Sequence, residues 1–276
     1  MQGIEELAHA KVNLFLRVLR RREDGFHEIE TFMAPITLCD SLELESADAF
    51  EFRCDEPGLA GDDNLVVRAA RLFFSETNRA PKVRLTLRKE IPHGAGLGGG
   101  SSDAAAALRG LNRFFDAGLS SEKLRTLGAQ LGSDVSFFVN ETAATCSGRG
   151  EIVTAAALLA PLSLLLLKPE FGVPSSWAYS RWQATREVAG EIYQSQKFRD
   201  TTFVNDLERP VFEKFVFLAQ MKTWLGKQPE VGAALMSGSG STIFAVLRDP
   251  ESANVLIARS RDELDSEMWA SVCETL

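Results

Sequence analysis

"PHGAGLGGGSSDAAAAL", residues 92–108, places five glycines in the seven positions 94–100, then two serines, an aspartate and a run of alanines. Glycine at this density costs conformational entropy and packs nothing, so the chain needs bare backbone here. An arch of peptide N–H groups free of Cβ atoms wraps an anion of phosphate size, and a helix begun directly behind it adds the positive end of its dipole. Ser101 or Ser102 can cap that helix or turn a hydroxyl toward a phosphate or its magnesium ion. Alanines 104–107 keep the helix slim enough to lie close on a sheet. Asp103 suits the dipole but repels a polyphosphate, so it either faces away or contributes to metal binding. A merely structural glycine turn is the competing explanation of the stretch.

Other glycine-loop chemistries fit less well. Gly94, Gly96 and Gly99 satisfy G-x-G-x-x-G, but that pattern alone is weak. A dinucleotide site also needs an acid closing a second strand about 20 residues on. Asp116 is at a tolerable distance but sits in "NRFFDAGLSSEK", which reads as a helix end and loop. No lysine follows the glycines as in a Walker A loop, and neither HRD nor DFG occurs.

The chain has 276 residues and a net charge of −8, with no block of lysines and arginines. Nucleic acid and anionic membranes are therefore not expected partners. The four cysteines lie far apart without a CxxC pair, which reads as reduced thiols in a cytoplasmic protein. "AAALLAPLSLLLL" (155–167) is broken by Pro161 and too short to span a membrane; it reads as a connection and a buried strand. Nothing indicates the oligomeric state.

Alternating, β-favouring segments at 11–19, 42–52 and 82–90 predict strands. Helical spacing predicts helices over 64–74, 101–115, 120–131, 211–225 and 250–264, and 233–247 predicts two strands joined by a small-residue turn. Without a regular βαβ rhythm the fold class is α+β. A composition shift near 155–160 suggests domains over 1–156 and 157–276.

With three segments in view, the chain resembles the GHMP kinases, the superfamily of galactokinase, homoserine kinase and mevalonate kinase. "PHGAGLGGGSSDAA" is similar to their phosphate-binding signature, and "AKVNLFLRVLRRREDGFHEIET" (10–31) and "MSGSGSTIFAV" (236–246) follow the same order. The GGGSS form, "AKVNLFL" and "DGFH" are most similar to the branch that phosphorylates a cytidylylated methylerythritol. The resemblance implies an N-terminal domain like ribosomal protein S5 and a C-terminal ferredoxin-like domain. It also implies transfer of the γ-phosphoryl group of ATP, with Mg2+, to the 2-hydroxyl of that cytidine diphosphate substrate. Another small-molecule kinase of the superfamily, or a nucleotide-binding relative without catalysis, are the alternatives.

Residue by residue, the resemblance makes Pro92, His93, Gly94, Ala95, Gly96, Leu97, Gly98, Gly99, Gly100, Ser101 and Ser102 the phosphate-binding segment, with no dedicated metal site beyond Ser101 or Ser102. Phosphoryl transfer needs alignment, charge compensation and a group for the hydroxyl proton. The family position assigns that last role to Asp134 in "LGSDVSFFV", which from the residues alone is equally a helix cap. Lys11 becomes its partner. Asn13, Phe26, His27, Ser175 and Tyr179 match substrate positions, with cytosine stacked between Phe26 and Tyr179. The family more often has tyrosine where Phe26 stands, which removes a hydroxyl contact but not stacking. Asn64 and Leu65 match adenine-side positions. Gly238, Ser239 and Gly240 are expected against the phosphate loop, and Arg149 is a candidate for the substrate diphosphate.

Overall fold

The computed structural model describes residues 3–187, 190 and 193–276. In chain order the first half comprises β1 (Ile4–Arg21), β2 (His27–Ser46), β3 (Glu51–Cys54), α1 (Leu65–Thr77), β4 (Val83–Arg88), α2 (Gly99–Phe114), α3 (Ser121–Leu131), α4 (Val135–Phe138), β5 (Ala144–Gly148) and β6 (Ile152–Ala155). The second comprises β7 (Ser163–Lys168), α5 (Ser175–Arg181), β8 (Gln196–Phe198), β9 (Thr201–Asn205), α6 (Glu208–Lys214), α7 (Val216–Gly226), β10 (Val231–Met236), β11 (Ile243–Leu247), α8 (Ala253–Glu263) and β12 (Trp269–Glu274).

Two sheets result. An eight-stranded sheet runs β3-β4-β2-β1-β9-β8, with β5 and β6 branching from β2, and a four-stranded antiparallel sheet runs β10-β11-β7-β12. The apolar contacts arrange them in four layers. Helices α1–α3 cover one face of the large sheet through Leu42, Leu44, Leu85 and Leu87. Its other face meets the small sheet through Val12, Leu14, Leu164, Leu166 and Phe244. Leu165, Leu167, Ala245 and α5–α8 close the far side. The α+β architecture follows, and the apolar segment at 155–167 is a connection into the buried β7.

Three features position the site. A bulge between His9 and Lys11 changes the face that β1 presents. Ala8 packs under the helices while Ala10, Val12 and Leu14 face the small sheet, leaving Lys11 and Asn13 on the opposite side. Next, α2 lies close on the sheet: Ala104–Ala107 are buried, and a Cβ on Gly110 would fall 2.9 Å from Leu44 Cδ1. Third, β9 returns from the second half of the sequence to pair in parallel with β1, Phe15 opposite Val204 and Leu16 opposite Asn205. Residues 196–205, expected in the domain over 157–276, therefore belong to the first sheet. The helix expected over 211–225 is two, interrupted at Phe215, whose φ of −108° and ψ of 67° are not helical.

Candidate active site

The glycine loop follows β4 and runs straight into α2. Its carbonyls turn inward. Ala95 O accepts from Thr242 N–H, Leu97 O from Lys11 N–H and Gly98 O from Ser102 N–H, while Gly96 O accepts from Lys11 Nζ and Ser237 Oγ. Among the described residues, the N–H groups of Gly94 through Ser101 donate to no protein acceptor. In an arch whose Ala95 to Gly98 oxygens are all taken up by protein donors, these amides remain for a ligand, and an anion satisfies several at once.

The glycines have a second use. At Gly96, φ is +76° and a Cβ would lie 2.2 Å from Ser237 O. At Gly98, φ is +75° and a Cβ would meet the Phe138 ring at 2.7 Å. Bare backbone here thus admits the 237–240 turn and Phe138, as well as an anion. Gly98 also takes the N-cap position, so α2 begins two residues earlier than expected and neither serine caps it. Ser101 lines the cleft; Ser102 is buried and does not.

That cleft, of about 960 Å3, is lined from both halves of the chain. Lys11, Asn13, Asn64, Leu65, Pro92 through Ser101, Asp134, Phe26, His27, Arg149, Ser175, Tyr179, Gly238 and Ser239 all reach it, although Gly240 does not. The residues singled out in the sequence are brought together, from β1, the hairpin tip, α1, the loop, α4, α5 and the 236–240 turn.

Lys11 is buried, and its Nζ donates to Asn13 Oδ1 and, at 2.7 Å, to Gly96 O. Asn13 in turn donates to Thr31 Oγ1 at 2.8 Å, and Thr31 donates to Phe15 O. Asn13 therefore orients Lys11 with its oxygen and is itself held by Thr31. Burial holds the Lys11 ammonium below the usual lysine range, while the negative charge of Asp134 works the other way. Among the described residues no ion pair joins the two, so the expected partnership acts through space rather than by contact. Asp134 occupies the N-cap position of α4 but its side chain makes no capping hydrogen bond. Its carboxylate is not spent on the helix.

The hairpin tip between β1 and β2 presents Phe26, half exposed, with the Arg149 guanidinium 4.7 Å above its ring. The ring facing Tyr179 is His27, stacked at 5.6 Å. Phe26 and Tyr179 thus each have a protein neighbour, Arg149 over Phe26 and His27 against Tyr179. Burial, then the charge of Arg21, lowers the His27 pKa and favours the neutral imidazole. Tyr179 is pushed up by burial and by the charge of Asp134, so its phenol stays protonated. Ser175 and Ser239 share a 2.7 Å hydrogen bond, joining α5 to the 236–240 turn. Asn64 caps α1 by accepting from Val66 N–H, and its amide donates to Leu59 O at 2.7 Å. Its polar atoms are thereby engaged in shaping the cleft wall.

Asp103 is buried at the edge of the cleft, and among the described residues its Oδ1 has no hydrogen-bond partner. Lys89 Nζ donates to its other oxygen at 2.6 Å and also to Asp40, which accepts the N–H groups of Glu90 and Ile91. Burial, the largest influence, pushes Asp103 up to about 8 against the pull of Lys89, and the charge of Asp40 adds to the rise. This buried triad braces the loop from below. Lys89 lies five residues before Gly94, but Asp40 is too far from the glycines in sequence for any local pattern to link it to them.

Comparison with known proteins decides the family. The family model described as GHMP kinases N terminal domain matches residues 64–142, and that described as GHMP kinases C terminal matches 181–265. A 4-diphosphocytidyl-2-C-methyl-D-erythritol kinase of Methylacidiphilum infernorum is 40% identical, covering 99% of this chain and 97% of the relative. The chain belongs to the GHMP kinase family. It is a kinase. A second relative with the same name, from Geobacter metallireducens, is 37% identical over 92% of each chain. A crystal structure of 4-(cytidine 5'-diphospho)-2C-methyl-D-erythritol kinase superposes with a TM-score of 0.79 at 34% identity, covering 98% of both chains. A homoserine kinase from Cytophaga hutchinsonii superposes at 0.66 with 15% identity, which bears on the fold alone.

Proposed function

We infer that the protein transfers the γ-phosphoryl group of ATP to the 2-hydroxyl of 4-diphosphocytidyl-2-C-methyl-D-erythritol, giving the 2-phosphate and ADP in non-mevalonate isoprenoid precursor synthesis. The observation that carries this reading is a single cleft combining the outward amides of residues 94–101, the pair Lys11 and Asp134, and the aromatic group Phe26, His27 and Tyr179. A small acid or amino acid gives that aromatic group nothing to bind.

In this reading the loop amides and the first turn of α2 hold the triphosphate. Asp134 orients the attacking hydroxyl and takes its proton as the new O–P bond forms and the bond to ADP breaks. Lys11, fixed by Asn13 and Gly96, offsets negative charge developing on the transferred group. A magnesium ion bound with the nucleotide would supply further charge compensation. Ser101, whose hydroxyl lies in the first turn of α2 and lines the cleft, is the residue we assign to it. Phe26 and Tyr179 supply faces for the cytosine, His27 its edge contacts and Arg149 a partner for the diphosphate.

Among the described residues, no helix is long and apolar enough to cross a membrane, and Cys39, Cys54, Cys146 and Cys273 are free thiols. We assign the protein to the reducing cytoplasm on that basis. The domain division we propose is functional: residues 1–156 carry the phosphate loop and 157–276 the turn and α5.

The test offers the purified protein ATP and magnesium with the cytidylylated alcohol, homoserine or mevalonate, and measures ADP release. Turnover with the first alone supports the reading. Turnover with another alcohol, or ATP binding without turnover on any, contradicts it.

A further inference from the structure

The segment "NDLE" (205–208), at the end of β9, spends three polar side chains on three different parts of the molecule. Asn205 is buried, and its Nδ2 donates to the carbonyls of Met236 and Gly238, both at 2.7 Å, while its Oδ1 accepts from Leu207 N–H. Asp206 accepts from Val18 N–H and pairs with Arg17 at 2.7 Å, anchoring the segment to β1. Glu208, also buried, accepts from Met236 N–H at 3.0 Å and from Lys222 Nζ at 2.5 Å.

Two of these residues converge on the 236–240 turn, and that turn touches the reacting groups. Ser237 donates to Gly96 O, and a Cβ on Gly238 would lie 3.0 Å from Lys11 Nζ and 3.2 Å from Asn13 Oδ1. Bridging carbonyls two residues apart from one short side chain requires two N–H donors on one atom. A hydroxyl has one donor and a carboxylate none, so asparagine is the short residue that fits.

We propose that Asn205, supported by Glu208, is a positioning residue for phosphoryl transfer: it sets the 236–240 turn against Lys11 and Asn13 and so fixes the ammonium relative to the phosphate loop. The proposal rests on the kinase reading above. It explains why β9 crosses from the second half of the chain to pair with β1: the strand that carries Asn205 is registered directly against the strand that carries Lys11.

The experiment measures kcat and KM for both substrates in Asn205→Ala, Gly238→Ala and, as a control for destabilisation alone, Leu256→Ala in the core under α8. Loss of an interaction used only in the transition state lowers kcat and leaves KM alone, and displacement near 1 Å costs on the order of 100-fold. Asn205→Ala and Gly238→Ala are expected to lose about 10- to 100-fold in kcat with KM within about 3-fold, while Leu256→Ala lowers Tm but keeps kcat. Wild-type kcat in Asn205→Ala overturns the proposal. Should that variant not fold, Gly238→Ala decides: there the Asn205 side chain is intact and the new Cβ, on a backbone of φ +55°, presses on Lys11, Asn13 and Gly96 O, the contacts through which the turn is proposed to act, so loss of kcat supports the proposal and wild-type kcat overturns it. A parallel loss in Leu256→Ala also overturns it. An inactive wild-type protein would instead overturn the kinase reading itself, and the two failures are thereby distinguished.

Discussion

Replacing Gly96 with alanine tests whether the phosphate loop and the 236–240 turn are built as one surface. The new Cβ would stand 2.2 Å from Ser237 O, 2.9 Å from Gly240 O and 3.0 Å from Gly240 N, all of them backbone atoms. Ordinary contact begins near 3.4 Å, so the turn has to withdraw by roughly 1 Å. The φ of +76° adds about 1–2 kcal/mol of strain for an L-residue, and overpacking of this kind costs about 1–3 kcal/mol. For a chain of this size the two together lower Tm by roughly 5 °C or more. Because the turn also abuts Lys11, a shift near 1 Å lowers kcat on the order of 100-fold. Differential scanning calorimetry and an ADP-release assay read the two effects. Gly100→Ala serves as the contrast. There the nearest atom to a new Cβ is Leu65 Cδ1 at 3.8 Å, so Tm is expected to hold or rise slightly. A Gly96→Ala protein with wild-type Tm and kcat would refute the reasoning.

Three further outcomes follow from the site. Asp134→Ala is expected to lower kcat by about 100- to 10,000-fold, the usual range for losing a proton acceptor, with ATP affinity unchanged in a titration. Retained turnover would remove its assigned role. Phe26→Ala takes away one stacking face, worth about 1–3 kcal/mol per base, and should raise KM for the cytidylylated substrate about 10-fold or more without lowering kcat. An unchanged KM would remove the stacking assignment. Asp103, pushed up to about 8 from an ordinary 3.8, holds its proton more tightly folded than unfolded. The stability it contributes is present at low pH and is lost as pH rises through that interval. Asp103→Asn, which keeps an acceptor for Lys89, should therefore raise Tm relative to wild type more at pH 8.5 than at pH 5.5; a difference independent of pH would contradict this.

Local features were legible in the sequence. The glycine loop, α1 behind its Asn64 cap, α3 behind Ser120 and the β10–β11 hairpin all declare themselves within a dozen residues, because capping, periodicity and turn chemistry act over that range. The features that escaped are set by distant partners. Lys11 reads as a surface lysine at a strand start until the bulge after His9 turns it inward beside Gly96. The break at Phe215 is invisible because both flanking helices share a helical pattern and the interruption comes from the backbone of one residue. The parallel pairing of β9 with β1 joins segments nearly 190 positions apart through two register pairs. "FVNDLE" does carry a local signal: three polar residues among apolar neighbours, in a segment that is mostly buried. The Phe26–Tyr179 sandwich shows the opposite limit. Resemblance named the residues, but which ring meets which depended on Arg149 and His27.

The account is tested most directly by a crystal structure of the protein with a non-hydrolysable ATP analogue and magnesium. Phosphate oxygens on the amides of residues 94–101, with the terminal phosphate between Lys11 and Asp134, are the predicted result. A nucleotide bound outside that loop, or a terminal phosphate turned away from both side chains, would contradict it.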